Sequence, residues 1–407
     1  MAIDVLTAGD GWSVVDAYGE HMVSGHLVLA KTDVPRAYHF WLGAGPWDAA
    51  VKIYYRGGEM PTTDYHFHPG VPSGGFSDPV QGIDSFFGAG IPYSETAYLA
   101  WQPPEADEDP DPQQVVGRYR TQLVPDYDAA GLPLGYGFSP NPARIMAKLI
   151  ADGRISPSRI HWPSWAAWRD VCDQHIDWND GGPTAHAPIR RFEAHVDFTA
   201  GVELLSALNL LTDLSATVWQ DDGDLIRFKP LLGDFSIYTF TKDNIVRDSI
   251  SGVYELDVRE IPTRQPVHFR NLDSELLEPA EWTGRLSTDD DDQEPVRTAG
   301  TAEYGAMYFS QAQRLAKYFL RRVLPKRISF TGLGETFAVQ PGDRTTFIHP
   351  ALGANPVDIM IIEVEEQPDQ ADTRRFLAGI LDGPLYRDED HEPISKALPV
   401  PASPVAA

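Results

Sequence analysis

The 407-residue sequence has a single cysteine, Cys172. An intrachain disulfide is therefore excluded, and folding is expected in a reducing cytoplasm. No run of about 18 uncharged apolar residues occurs, so no membrane-spanning helix is expected. The opening stretch MAIDVLTAGDGW carries Asp4 and lacks the basic flank and apolar core of a secretory signal, so none is expected. Basic residues are scarce: 33 Lys and Arg stand against 59 Asp and Glu, a formal charge of -26. Phosphate contacts need Lys and Arg, so general nucleic-acid binding is disfavoured. Such a charge would suit a conduit through which DNA slides without sticking, and the plainer reading is a soluble protein with acidic loops. Also missing are a Gly-x-Ser-x-Gly elbow, a Walker loop and His-Glu-x-x-His. Paired carboxylates for glycoside cleavage meet in space rather than in sequence, and no pair stands out here.

What is present supports a packed protein. Apolar residues make up 42% and aromatics 11%, enough for a buried core. The length suits two to four domains. The first 140 residues read as short strands cut by Gly and Pro, the pattern of a barrel or sandwich. Residues 102–114 (QPPEADEDPDPQQ) read as a solvated acidic loop. Asn141-Pro142 is a helix start, with Ile145, Met146, Leu149 and Ile150 on one face and Asp152-Gly153 at the end. A second helix is expected over 164–176, with Trp165, Trp168 and Cys172 in phase, and a third over 199–216. Asp222-Gly223 between apolar runs predicts a hairpin. Strand patterning returns after 235, is interrupted by acids at 289–292 and by a helix over 310–323, and continues to 381, with strands near 327–330, 336–339, 344–348, 358–364 and 376–381.

The domain division expected is a β-domain over 1–140, completed by strands after 235, and an α+β insertion over 141–235. A β-rich segment over 236–300 follows, then a helix plus β-barrel over 301–387. Residues 388–407, ending LPVPASPVAA, read as a flexible tail.

Few residues invite a chemical role. His66 and His68 share one strand face and could hold Zn²⁺ with Cys172, His175, His21 or His26; the plainer reading is aromatic packing before a Pro-Gly turn. Residues 289–292 with Glu294, and 107–111, lack the ligand spacing of a Ca²⁺ loop and read as solvated. Pro341-Gly342-Asp343 is a tight turn. Arg314, Lys317, Arg321 and Arg322 form the one basic concentration, expected on the outer face of the 310–323 helix, either as a contact for an acidic neighbour or as a solvated face. No catalytic residue, metal or cofactor is assigned.

Several segments, in order, carry a resemblance. They are residues 40–55 (FWLGAGPWDAAVKIYY), 65–70 (YHFHPG), 94–101 (SETAYLAW), 124–130 (VPDYDAA), Asn141-Pro142-Ala143, 191–229, 311–320 and 339–347 (VQPGDRTTF). Their order and spacing resemble the tail hub, or tip attachment, proteins of long-tailed siphophages and gene transfer agents, related to the central baseplate hub of contractile tails. The resemblance implies an α+β, β-rich fold with two tail-tube-like β-barrel or sandwich domains flanking a smaller α+β inserted domain. It further implies a homotrimer whose six β-domains cap a sixfold tail tube at the distal tip or baseplate of a virion assembled in the host cytoplasm. The partners implied are a distal tail ring or tail tube protein, a tip, fibre or peptidase protein, and a tape measure protein, with DNA only as passing cargo. Many tip proteins continue into fibronectin-like modules and a fibre, so host recognition is expected to rest with a partner. The alternatives are a virion-associated cell-wall-degrading enzyme and a carbohydrate-binding tip.

Overall fold

A computed structural model describes residues 3–5, 16–31, 36–70, 96–104, 107, 109–176, 188–198, 203–232, 236–251, 253–257, 259, 261–274, 277–285, 296–352, 355–367 and 372–390. The acidic run at 289–292 with Glu294, and the terminal residues 391–407, lie outside them. The chain is α+β and β-rich, with four α-helices among the described residues.

The described strands up to residue 138 build two sheets over one core, except Asp16–Tyr18, which pairs with Val196–Phe198. One sheet has the spatial order Ile3–Val5, His26–Lys31, Ala37–Ala44, Thr96–Trp101, Tyr65–His68. The other joins Pro133–Phe138, Val115–Tyr127, Trp47–Tyr55 and Gly58–Glu59, with Glu20–Val23 also pairing to the long Val115–Tyr127 strand. Side chains of a strand point alternately to its two faces. In Thr96–Trp101 the core face is Ala97, Leu99 and Trp101, packed with Tyr38, Phe40, Trp47, Ile53 and Tyr119. Tyr98, on the opposite face, stacks on His68 at 4.0 Å between ring centres. Both faces are covered, so the strand reads as one apolar run rather than an alternation.

The central unit begins at Asn141. Its side chain accepts the Ala143 N–H at 2.9 Å and donates to the Arg169 carbonyl at 2.9 Å, capping α1 (Pro142–Ala151) and tying it to α2 (Trp162–Asp173). Pro142 sits where a missing N–H costs nothing. Trp165 and Trp168 of α2 are fully buried, and their indole N–H groups donate to the Ala143 carbonyl and the Ser215 hydroxyl, both at 2.9 Å. Satisfying the ring N–H is what lets a tryptophan sit entirely inside. The helix α3 (Leu204–Asp213) and the hairpin Thr217–Asp221/Ile226–Pro230 close this layer. The third helix is thus shorter than its 199–216 expectation, and residues 199–202 lie outside the described ones.

The helix α4 (Phe309–Arg321) packs on the sheet formed by Pro279–Gly284, Gln265–Asn271 and Ala302–Met307, and shares the core of α1–α3. It therefore sits in the central unit rather than with the last sheet. That last sheet has six strands in the order Thr239–Thr241, Arg344–Ile348, Val357–Glu366, Thr373–Ile380, Lys326–Leu333, Val253–Glu255. Its core is aromatic, with Phe240, Phe330, Phe347 and Phe376 in mutual contact. The segment expected as a strand near 336–339 is instead a short 3-10 helix, Gly334–Ala338. Among the described residues none of the sheets closes into a barrel. Two β units thus flank a central α+β unit.

Candidate functional site

The basic residues of α4 are not arranged as expected. Arg314 is fully buried. Its Nε donates to the Ser310 carbonyl and its Nη1 to the Arg191 carbonyl, both at 3.1 Å, and Nη1 also donates to the Tyr386 hydroxyl. Asp388 supplies a carboxylate 3.9 Å away. The placement of Arg314 on an outer face is therefore corrected. The reason is a segment that periodicity could not place: residues 385–390 fold back over the helix and bring their own acids. Asp390 holds Arg321 in a two-point contact, with Nη2 to Oδ1 at 2.9 Å, and Asp388 holds Arg191 at 2.8 Å. The paired, folded segment thus reaches Asp390, inside what reads as tail in the sequence. Arg322 is half-exposed and pairs with Asp213 of α3 at 2.6 Å, and Lys317 is half-buried. Of the four cations, Arg314, Arg321 and Arg322 bind the chain to itself.

The histidine candidates separate as well. His66 and His68 are neighbours, with ring centres 4.1 Å apart, but His68 is buried and lies flat on Tyr98. Cys172 is buried in the central core, where desolvation pushes its thiol well above its ordinary pKa. A thiolate ligand is disfavoured in such surroundings. His175 is exposed, and His21 belongs to the junction described below; the side chain of His26 lies outside the described residues. Among the described residues no group of three or more His, Cys, Asp and Glu side chains is placed to hold a metal.

The acidic stretch at 107–111 is held to the first β unit. The Tyr55 hydroxyl donates to Asp107 at 2.7 Å, Arg56 lies 3.5 Å from the same carboxylate, and Arg36 donates to the Asp107 carbonyl at 3.1 Å. The hydroxyl contact, ahead of the cations, draws the Asp107 pKa below its ordinary value. Asp111 caps the following turn by accepting the Gln113 N–H at 3.0 Å.

Two polar junctions escape sequence reading. The first joins the N-terminal β unit to the centre. His195 is buried; its Nδ1 accepts the Glu20 N–H at 2.7 Å, so Nε2 carries the proton toward Glu193 at 3.1 Å. Gln311 donates to the Glu193 carbonyl at 2.9 Å, and Arg118 grips the Glu20 carboxylate at 2.7 Å. His21 donates from Nε2 to the Tyr18 carbonyl at 2.7 Å and faces Asp197 at 3.5 Å. Burial, the largest cause, lowers the His21 pKa despite Asp197. A cavity of about 340 Å³ opens here, lined by Glu20, His21, Asp197, Arg270, Glu303 and Tyr304 among others. Gly305 belongs to the same place. A Cβ there would lie 1.7 Å from the His195 carbonyl oxygen, so only glycine permits this approach of strand to strand.

The second junction joins the hairpin to the C-terminal sheet. Lys229 contacts the buried Asp343 carboxylate, whose other oxygen accepts the Gln340 N–H at 2.6 Å, and Gln220 donates to Gln340 at 2.9 Å. Burial acts to lower the Lys229 pKa, while the carboxylate it touches acts to raise it. The Pro341-Gly342-Asp343 turn is therefore both a turn, with Gly342 at φ +80°, and the anchor of an inter-unit ion pair. Both junctions fasten modules together, and their residues come from positions far apart in the chain.

No protein family profile matches the sequence, and no curated protein matches it. In structure, the chain is similar to a chain in the virion of a native gene transfer agent particle. The TM-score is 0.65 at 14% identity, covering 95% of this chain and 88% of the other. Two further solved structures match over most of their length. They are a prophage tail protein from Listeria monocytogenes EGD-e (12% identity, TM-score 0.30, 89% of this chain and 87% of the other) and a 43 kDa tail protein of prophage MuSo2 from Shewanella oneidensis (10% identity, TM-score 0.31, 93% and 99%). Superpositions that loose carry no argument. The fold is shared with a component of a gene transfer agent virion, and no helix among the described residues is long and apolar enough to cross a membrane.

Proposed function

We propose that the chain is a structural hub of a phage or phage-like tail, a homotrimer that caps the distal end of the tail tube. It connects the tube or distal tail ring to a tip, fibre or peptidase protein, and contacts with a tape measure protein fit the same position. The observation that carries this reading is the fold likeness along nearly the whole chain to a gene transfer agent virion chain. The architecture supports it. Two β units are bolted to one central unit by buried polar junctions, as a load-transmitting part requires, and three such chains offer six β units to a sixfold tube. The net charge of -26 suits a passage for DNA, since an acidic surface repels phosphate.

On this reading the protein is a scaffold, not an enzyme. Immunogold electron microscopy of intact particles tests the position: label at the tip end of the tail supports it, and label along the tube or at the head overturns it. Zymography of the purified chain on host cell wall tests the other point, since a cleared zone means a wall-degrading activity.

A further inference from the structure

The strand Pro133–Phe138 lies at the end of its sheet and is exposed along almost its full length. Leu132, Leu134 and Tyr136 are 62%, 63% and 66% exposed. The run Leu132 to Phe138, LPLGYGF, contains no charge. Edge strands that must stay single are usually blunted by charged side chains, and this one carries only Pro133 at its start. Gly135 and Gly137 leave open space where a side chain would stand, so another backbone can come close. The surface is built for strand addition, in which main-chain hydrogen bonds supply affinity and alternate side chains supply specificity.

The other β unit offers a complementary edge. Its six-stranded sheet ends on Thr239–Thr241 and on Val253–Glu255. The first end is closed by its own chain: Asn244 accepts the Thr241 N–H at 2.8 Å and donates to the Thr239 carbonyl at 3.0 Å. The second faces no strand among the described residues, and Tyr254 there is 42% exposed. The stretch from Ser249 to Tyr254, SISGVY, is free of charge, and the one acid of the strand, Glu255, pairs with Lys326 at 3.8 Å, so the edge carries no net charge. Copies that each carry -26 repel one another, so they meet most readily where both surfaces are neutral. These two edges meet that condition, and they lie on different β units. A contact between unlike surfaces of identical chains is head-to-tail, and such contacts close into a ring when the rotation from copy to copy divides a full turn.

We propose that strand Pro133–Phe138 of one copy pairs with strand Val253–Glu255 of the next, and that this pairing joins the copies of the ring. The inference rests on the hub reading above and adds the surface by which the copies meet.

Crosslinking of the full chain with a thiol reagent tests it. Cys172 is buried, so Gly137→Cys and Tyr254→Cys add the accessible thiols. A bis-maleimide spanning ~10 Å, about two strand spacings, is applied to the concentrated double variant. The expected result is a ladder of covalent oligomers that stops at the trimer, while either single variant gives background dimer only. Adding Leu134→Glu and Tyr136→Glu, both at exposed positions, is expected to cut the crosslinked fraction at least tenfold with unchanged far-UV circular dichroism. Efficient dimers from Gly137→Cys alone would mean that like edges pair, and overturn the proposal. A trimer by light scattering without the crosslink would overturn this interface and leave the trimeric hub intact. A chain that neither assembles nor crosslinks when concentrated overturns the interface, while the tail position is judged separately by immunogold.

Discussion

Replacing Arg314 by Met separates a structural role from a partner contact. The substitution keeps most of the side-chain volume and removes the guanidinium. The Arg191 carbonyl and the Tyr386 hydroxyl then lose a donor inside the core, while Asp388 stays partly in water. Each orphaned buried polar group costs about 1–3 kcal/mol, and removing one member of a buried charged set costs ~3–5 kcal/mol. A loss of about 3 kcal/mol is therefore expected. At ~2–4 °C per kcal/mol for a unit of 150–250 residues, the melting midpoint falls by roughly 6–12 °C. The control is Arg322→Ala, which breaks a half-exposed pair with Asp213 and costs at most ~1 kcal/mol. Differential scanning calorimetry of the isolated chain reads both. An Arg314→Met chain that melts with the wild type but fails to enter particles would refute the structural assignment and restore the outward contact suggested by the sequence.

Four further outcomes follow from named contacts. Because burial lowers the His21 pKa, the unfolded chain takes up a proton at His21 more readily than the native one. Stability from this group is thus full above the ordinary histidine range and is lost as pH falls below ~6.5; His21→Asn should flatten the pH dependence of the melting midpoint between 7.5 and 5. Gly305→Ala forces a methyl group into the His195 carbonyl, and should destabilise by more than ~3 kcal/mol or prevent soluble expression, whereas Gly137→Ala, which meets open space, should change the midpoint little. Cys172 should resist a thiol reagent in the native state and react fully in denaturant, because its site is buried and holds the thiol protonated. Trp101→Ala empties the centre of the N-terminal β core, with an expected cost of ~3–5 kcal/mol and early proteolysis within residues 16–138.

Much of this fold could be read from the sequence because the signals were local. Asn141-Pro142 fixed a helix start through cap chemistry, and the Asp-Gly turn announced the hairpin at 221–226. The phase of Ile145, Met146 and Leu149 identified a buried face. The failures were non-local. Periodicity placed Arg314 outside because it could not foresee that residues 385–390 would cover the helix. The pairing of His68 with Tyr98 depends on strand neighbours some thirty residues apart. The junction of Glu20, Arg118, His195 and Gln311 gathers four distant segments, none with a motif of its own. The exposed Leu134 and Tyr136 look like core residues in a hydropathy reading, and only the sheet order reveals an open edge.

A cryo-electron map of the whole particle counts the copies of this chain and locates them along the tail. Three copies at the tip end, each placing its two β units, residues 20–138 and residues 239–255 with 326–380, side by side around the tube axis, is the predicted result. Six copies, or a ring elsewhere along the tail, would contradict it.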